Sequence, residues 1–306
     1  MRRHGRRALG ALAVAVLAAS VVSACASADG ERPLVVVSTN ILGDVVDELV
    51  GDDVEVMTLM RPDADPHSFE ISAQDAARLR SADLLVSNGL GLEEGLQQHL
   101  DAAAADGVAT FVAGDAIDVL AYAEGDAGVP DPHFWTDPAR MTDVVVALRG
   151  PLAVLPGVRG ADVDARVDAY LAELESLDEE MATAFAVIPA GRRALVTNHH
   201  VFGYLAERYG FRVVGAAIPG GTTLAAPSAS DLADLATAIE RTGVPSIFAE
   251  SSSPDRLMRA LAEETGTHVD VVELYTESLT AAGGGADDYL TMMRENTRRI
   301  ATGLSQ

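Results

Sequence analysis

A chain of 306 residues with 46 acidic and 22 basic side chains has a formal net charge of −24, a field that repels nucleic acid and draws cations toward the surface. Its single cysteine excludes an internal disulfide, so stability must come from a hydrophobic core of ordinary size, and this length can supply one as two domains.

The chain begins with Arg2, Arg3, Arg6 and Arg7 followed by the apolar run Ala8 to Val22. A charged stretch and a short apolar run make a secretory signal, whereas a membrane span needs about 20 apolar residues. The run ends at Val22-Ser23-Ala24-Cys25, which resembles the lipobox at which bacterial lipoproteins are cleaved and lipidated. Residues 1–24 are therefore expected to be a lipoprotein signal peptide and Cys25 the lipidated first residue of the mature chain. The bland alternative is a chance cysteine in an ordinary signal. Cleavage would remove four arginines and no acid, moving the charge from −24 to −28. Residues 25–32, small and polar, read as a tether.

From Pro33 onward, short β-branched runs alternate with helical patterns, the signature of βα units around a parallel sheet. In residues 33–160 strands are expected at Leu34 to Thr39, Val54 to Leu59, Leu84 to Ser87 and Thr110 to Ala113. Helices are expected at Leu42 to Val50, Gln74 to Ser81, Leu92 to Ala105 and Pro138 to Leu152. Residues 161–188 hold Val163, Val167, Tyr170, Leu171, Leu174, Leu177, Met181 and Phe185 at helical spacing without glycine or proline, one amphipathic linking helix. From Asp162 to Val187 it would run about 39 Å, long enough to span both domains and stiff enough to disfavour a large hinge closure. A helix belonging to one domain alone fits the same pattern. In residues 189–306 strands are expected at Ala194 to Thr197, Arg212 to Ala217, Ser246 to Ala249 and Val269 to Leu274. Their helices are Phe202 to Tyr209, Ala229 to Arg241, Pro254 to Glu264 and Asp288 to Ala301. The fold class is α/β: two βα domains with parallel sheets joined by one long linker helix.

Of seven histidines, His4 lies in the signal and three others sit in loops or at strand ends. His67 follows the proline-punctuated stretch Arg61-Pro62-Asp63-Ala64-Asp65-Pro66, whose backbone is restricted. His133 lies in Asp131-Pro132-His133-Phe134-Trp135-Thr136-Asp137-Pro138, beside the only tryptophan. His199 follows a strand through Asn198, and Glu277 lies just past another in Tyr275-Thr276-Glu277-Ser278. Open α/β sheets place ligand groups at such strand ends. Two groups from each domain meeting in a cleft would complete a tetrahedral N/O shell for a metal. A single loop histidine is more often solvated or capping, but two Asp-Pro-His triplets in one acidic exported chain are harder to dismiss. No compact motif such as His-Glu-x-x-His is present.

These residues carry a family resemblance. Gly51-Asp52 with Val54 to Leu59, Asp65-Pro66-His67, Ala82-Asp83 through Asn88-Gly89-Leu90-Gly91-Leu92-Glu93, and Asp131-Pro132-His133 with Asp137-Pro138 match in the first half. His199 through Phe202-Gly203-Tyr204, Tyr209-Gly210, Ile247-Phe248-Ala249-Glu250, and Tyr289 with Met293 and Asn296 match in the second. Together they resemble the zinc and manganese ABC transporter substrate-binding lipoproteins, the cluster A-I or zinc-uptake type. The resemblance implies two βα domains joined by a long helix, a metal held at their interface with little closure, and a monomer. It implies an extracytoplasmic protein, lipid-anchored to the cell membrane through Cys25, that serves an ABC permease with its ATPase subunits and binds no nucleic acid. The ligands carry over to His67, His133, His199 and Glu277. The family places its third ligand five residues before a tyrosine, which selects His199, with His200 as a possible substitute. At the fourth position the family usually has aspartate, so Glu277 departs from the pattern and is open to bidentate binding. The implied cargo is Zn2+ with Mn2+ as the alternative. Manganese-specific relatives generally have glutamate at the third position, where this chain offers only histidine. The stretch Ala116 to Val129 contains acids but lacks the histidines of a metal-collecting loop.

His99 and His268 read as solvated surface residues. Glu93 and Glu94 suit a helix start, and Glu250 suits either support of a ligand imidazole or a cap for Ser251-Ser252-Ser253-Pro254. The rival functional classes are a zinc hydrolase, which would need an open coordination position and a base that no motif supplies, and a surface adhesin or metal chaperone working without a transporter.

Overall fold

The computed structural model describes residues 32–122, 128–218 and 220–306. The expected signal peptide, Cys25 and nearly all of the tether lie outside these residues.

The first half is built from β1 (Leu34–Val37), α1 (Asn40–Val50), β2 (Glu55–Thr58), α2 (Ala73–Leu79), β3 (Leu84–Ser87), α3 (Gln97–Ala105) and β4 (Thr110–Val112). Its sheet is parallel throughout, in the order β2-β1-β3-β4. The central strands Leu-Val-Val-Val and Leu-Leu-Val-Ser are buried along their whole length, as expected of parallel strands covered on both faces. Val36 pairs with Met57 on one side and Leu85 on the other. Helix starts follow local chemistry: Thr39 accepts from Leu42 N at the head of α1, and Ser72 with Asp75 forms a reciprocal capping box on α2.

Two helices then cross the molecule, α4 (Pro138–Ala153), begun by Pro138 behind the Asp137 cap, and α5 (Gly160–Ala186). With 27 residues, α5 runs about 40 Å. Its buried side chains are Val163, Val167, Tyr170, Leu174, Leu177, Met181 and Phe185, the stripe that the periodicity predicts. The second half follows as β5 (Ala194–Thr197), α6 (Gly203–Tyr209), β6 (Arg212–Ala216), α7 (Ala229–Thr242), β7 (Ser246–Glu250), α8 (Arg256–Glu264), β8 (Asp270–Leu274) and α9 (Tyr289–Ser305). Strands β5 and β6 pair in parallel, as do β7 and β8, and β5 lies beside β7. The last helix, α9, packs on α5 and reaches α1. One apolar core therefore runs from β1 and α1 through α4 and α5 to β5 and α9.

One element starts later than its pattern suggests. A helix is expected from Leu92, but α3 begins at Gln97. Gly89, Leu90 and Gly91 all have positive φ (78°, 56° and 83°), and the turn they make brings the Glu93 carboxylate back onto its own chain. Glu93 is buried and accepts from Asn88 N at 2.6 Å, Gly89 N at 3.1 Å and Ser38 Oγ at 2.6 Å. Burial raises the pKa of this carboxyl although all three hydrogen bonds work against the rise.

Candidate metal centre

Each candidate ligand sits beyond the C-terminal end of a parallel strand. His67 lies between β2 and α2, His133 between β4 and α4, His199 just after β5, and Glu277 between β8 and α9. That is where an open α/β sheet leaves room for a ligand. Hydrogen bonds between the halves fix these loops. Asn40 Nδ2 donates to Ser278 Oγ at 2.8 Å while its Oδ1 accepts from Leu279 N at 3.0 Å. Trp135 Nε1 donates to Thr276 O, and Tyr289 OH donates to Trp135 O, both at 2.8 Å.

The four side chains come together and are 0–2 % exposed. One donor atom from each lies within 4.8 Å of the others. The three Nε2 atoms converge on a single carboxylate oxygen: Glu277 Oε1 is 3.0 Å from His67, 3.3 Å from His133 and 3.0 Å from His199. Donors about 2.0–2.1 Å from a tetrahedral zinc stand about 3.3 Å apart, so this spacing suits the edges of such a shell. Glu277 Oε2 and His133 Nε2 are buried without a hydrogen-bond partner. Leaving polar atoms so placed costs a fold free energy, and a divalent cation would satisfy both.

Behind the donors stand carboxylates, one of which is hydrogen-bonded to its ring. Asp131 Oδ1 accepts from His133 N at 2.9 Å and lies 2.8 Å from His133 Nδ1. Glu250 Oε2 is 3.1 Å from His199 Nδ1, close enough for charge attraction, while Glu94 Oε1 is 3.8 Å from His67 Nδ1, beyond hydrogen-bond distance. A carboxylate hydrogen-bonded at Nδ1, as Asp131 is to His133, holds the proton there and leaves the Nε2 lone pair for a metal. Of these, Glu250 was legible as one of two sequence options. Asp131 was missed in that role, although an acid two residues before a histidine was a signal for it. Its counterpart Asp65 accepts from the backbone N of His67 at 2.8 Å, with Oδ1, where Asp131 reaches both the backbone N and the ring of His133. Gly203, at the start of α6, matters here because a Cβ on it would lie 2.4 Å from Asp131 Oδ2.

Electrostatically, the surroundings of His133 and His199 favour their protonated forms. Burial opposes charge on His199, but Glu277 and Glu250 outweigh it and hold the imidazolium well above its usual range. Burial likewise opposes charge on His133, and contacts with Asp131 and Glu277 overcome it. Burial alone would raise Glu277; the charge of His199 and the contacts from all three rings hold it well below the carboxylate range instead.

The remaining histidines stay outside the cluster. His200 packs near Tyr122, with ring centroids 6.3 Å apart, and lines a separate cavity of about 310 Å³ with Asp131, Phe202 and Glu207. His99 is exposed on α3, and the exposed His268 faces Asp270 at 3.3 Å. Glu93 and Glu94 precede α3 rather than beginning it.

Comparison with known proteins agrees with this construction. Residues 35–303 match the family described as zinc-uptake complex component A, periplasmic. The zinc-binding protein TroA of Treponema pallidum is 32 % identical over 286 residues, covering 92 % of this chain and 91 % of its own. The manganese-binding lipoprotein MntA of Halalkalibacterium halodurans is 30 % identical, covering 92 % and 91 %. The solved structure of the periplasmic zinc-binding protein TroA superposes with a TM-score of 0.83 at 31 % identity, covering 90 % of this chain and all of that one. With the match spanning nearly the whole described body, the chain belongs to the zinc-uptake complex component A family.

Proposed function

We propose that the protein is the extracytoplasmic solute-binding component of an ABC importer, which captures a divalent transition metal between its two halves and delivers it to a permease driven by ATPase subunits. The observation that carries this reading is the convergence of three imidazoles and one carboxylate, fully buried and contributed by both halves. His67, His133, His199 and Glu277 are the proposed ligands. In the proposed organisation residues 33–160 and 189–306 flank the linking segment 161–188, and Cys25 carries the lipid that keeps the protein at the membrane. Four protein donors close a tetrahedral shell, which suits carriage of a metal better than hydrolysis, because catalysis keeps a position open.

The proposed cargo is zinc. Imidazole nitrogen suits zinc, while manganese favours shells dominated by oxygen, and the intrinsic affinity order also places zinc above manganese. The manganese reading draws on relatives such as MntA and on the second oxygen of Glu277, which is open to a bidentate bond. Loading the apo protein with equimolar zinc and manganese, followed by mass spectrometry of the bound metal, is expected to recover mostly zinc. A manganese-loaded product overturns the cargo, and a product with neither metal overturns the function.

A further inference from the structure

The ligands are so deeply covered that a metal leaves only if part of the cover moves. A segment of the second half is placed to be that part. Residues 220–228, before α7, lie outside any helix or strand, and residues 221–223 meet the two first-half loops that carry His67 and His133. Thr223 Oγ1 donates to Asp65 Oδ2 at 2.6 Å. The same oxygen also accepts from Ser68 Oγ at 3.1 Å, and the other oxygen of Asp65 accepts from His67 N. Two residues earlier, Gly221 O accepts from Tyr122 OH at 3.4 Å, and that hydroxyl lies 3.2 Å from His133 Nδ1. The approach at Gly221 requires glycine: a Cβ there would lie 2.1 Å from the Tyr122 oxygen.

We infer that residues 221–223 form a clasp across the two halves whose hydrogen bonds set the rate of metal release, with Thr223 as the positioning residue. This rests on the proposed metal-binding function. Thr223 acts through Asp65, which holds the backbone of His67. A short hydroxyl-to-carboxylate bond is among the stronger hydrogen bonds. Breaking it frees the His67 loop to swing, so its loss lowers the barrier to release while the four donors remain. Tyr122 and Gly221 provide the matching hold on the His133 loop.

The test is stopped-flow transfer of zinc to excess chelator from the full mature protein, comparing wild type with Thr223→Val, Thr223→Ser and Gly221→Ala. Cobalt absorption spectra report whether the donor set is unchanged. Thr223→Val is expected to release zinc about tenfold faster or more, on the scale of one charge-assisted hydrogen bond, with the cobalt spectrum of the wild type. Thr223→Ser, which keeps the hydroxyl, is expected to keep the wild-type rate. Gly221→Ala, which drives Tyr122 away, is expected to accelerate release by a separate route. A Val variant that releases at the wild-type rate, or a Ser variant as fast as Val, overturns the clasp and leaves the metal-binding function standing. A wild type that takes up no metal removes both.

Discussion

At the scale of single residues, the site separates the six described histidines sharply. His133 and His199 each point Nε2 at Glu277 Oε1 and have a carboxylate at Nδ1. Replacing either with alanine opens the shell and leaves Glu277 buried with fewer partners. Zinc affinity in chelator competition is expected to fall about a hundredfold or more, beyond the 10–100-fold typical of losing an outer partner. His99→Ala, His200→Ala and His268→Ala are expected to bind as the wild type does. Unchanged binding after His199→Ala would remove that segment from the site. The same geometry fixes the pH dependence. An ordinary imidazole loses its proton near pH 6.5, but Glu277 and the outer carboxylates hold protons on His133 and His199 to higher pH. Binding must displace those protons, so affinity is expected to begin falling above pH 6.5 as the solution is acidified and to keep falling below it. A zinc affinity flat from pH 8.5 to 5.5 would mean that these rings are not ligands.

At the scale of elements, the least comfortable group is on α1. Asp44 has its carboxyl pushed up to about 7, chiefly by burial, with Asp288, Glu48 and Asp47 adding to the rise and the hydrogen bond from Tyr289 N opposing it. A carboxyl with a folded pKa above its unfolded value binds a proton on folding between about pH 4 and 7, so stability falls as pH rises through that window. Asp44→Asn is expected to raise unfolding free energy in urea at pH 8 by about 1–2 kcal/mol, after allowing for solvent screening at a partly exposed site. The gain should fade through the window and vanish below about pH 4; an equal gain at pH 3.5 would refute the linkage. Most elements were legible because their signals were local. Apolar runs gave β1 and β3, and a stripe of spaced apolar residues gave α5. The start of α3 was not, because Leu92 and Leu96 keep helical spacing while the Glu93 carboxylate takes up backbone N–H groups in a turn. The ligands were readable as loop residues at strand ends. Their convergence on one oxygen was not, since it depends on contacts such as Trp135 to Thr276 across 141 residues of chain.

On the scale of the whole molecule, two attachments matter, one to the membrane and one between the halves. If Cys25 carries the lipid, Cys25→Ser is expected to release the protein from membranes in fractionation, because a lipid chain would be the mature protein's anchor. Retention in that variant would sink the lipoprotein assignment. The second attachment would be the proposed metal. His67 and His133 come from one half and His199 and Glu277 from the other, so a cation held by all four would join the halves where their loops meet. A ligand that binds only the folded state stabilises it by mass action, about 2.7 kcal/mol at a free concentration one hundred times Kd. For a body of this size that corresponds to roughly 5 °C in Tm. Zinc is expected to raise the melting temperature by several degrees, chelator to reverse the rise, and His199→Ala to abolish it. The variant is the decisive arm, because a chain of net charge −24 also gathers cations on its surface. An equal rise in His199→Ala would place the stabilising metal among the surface carboxylates instead of between the halves.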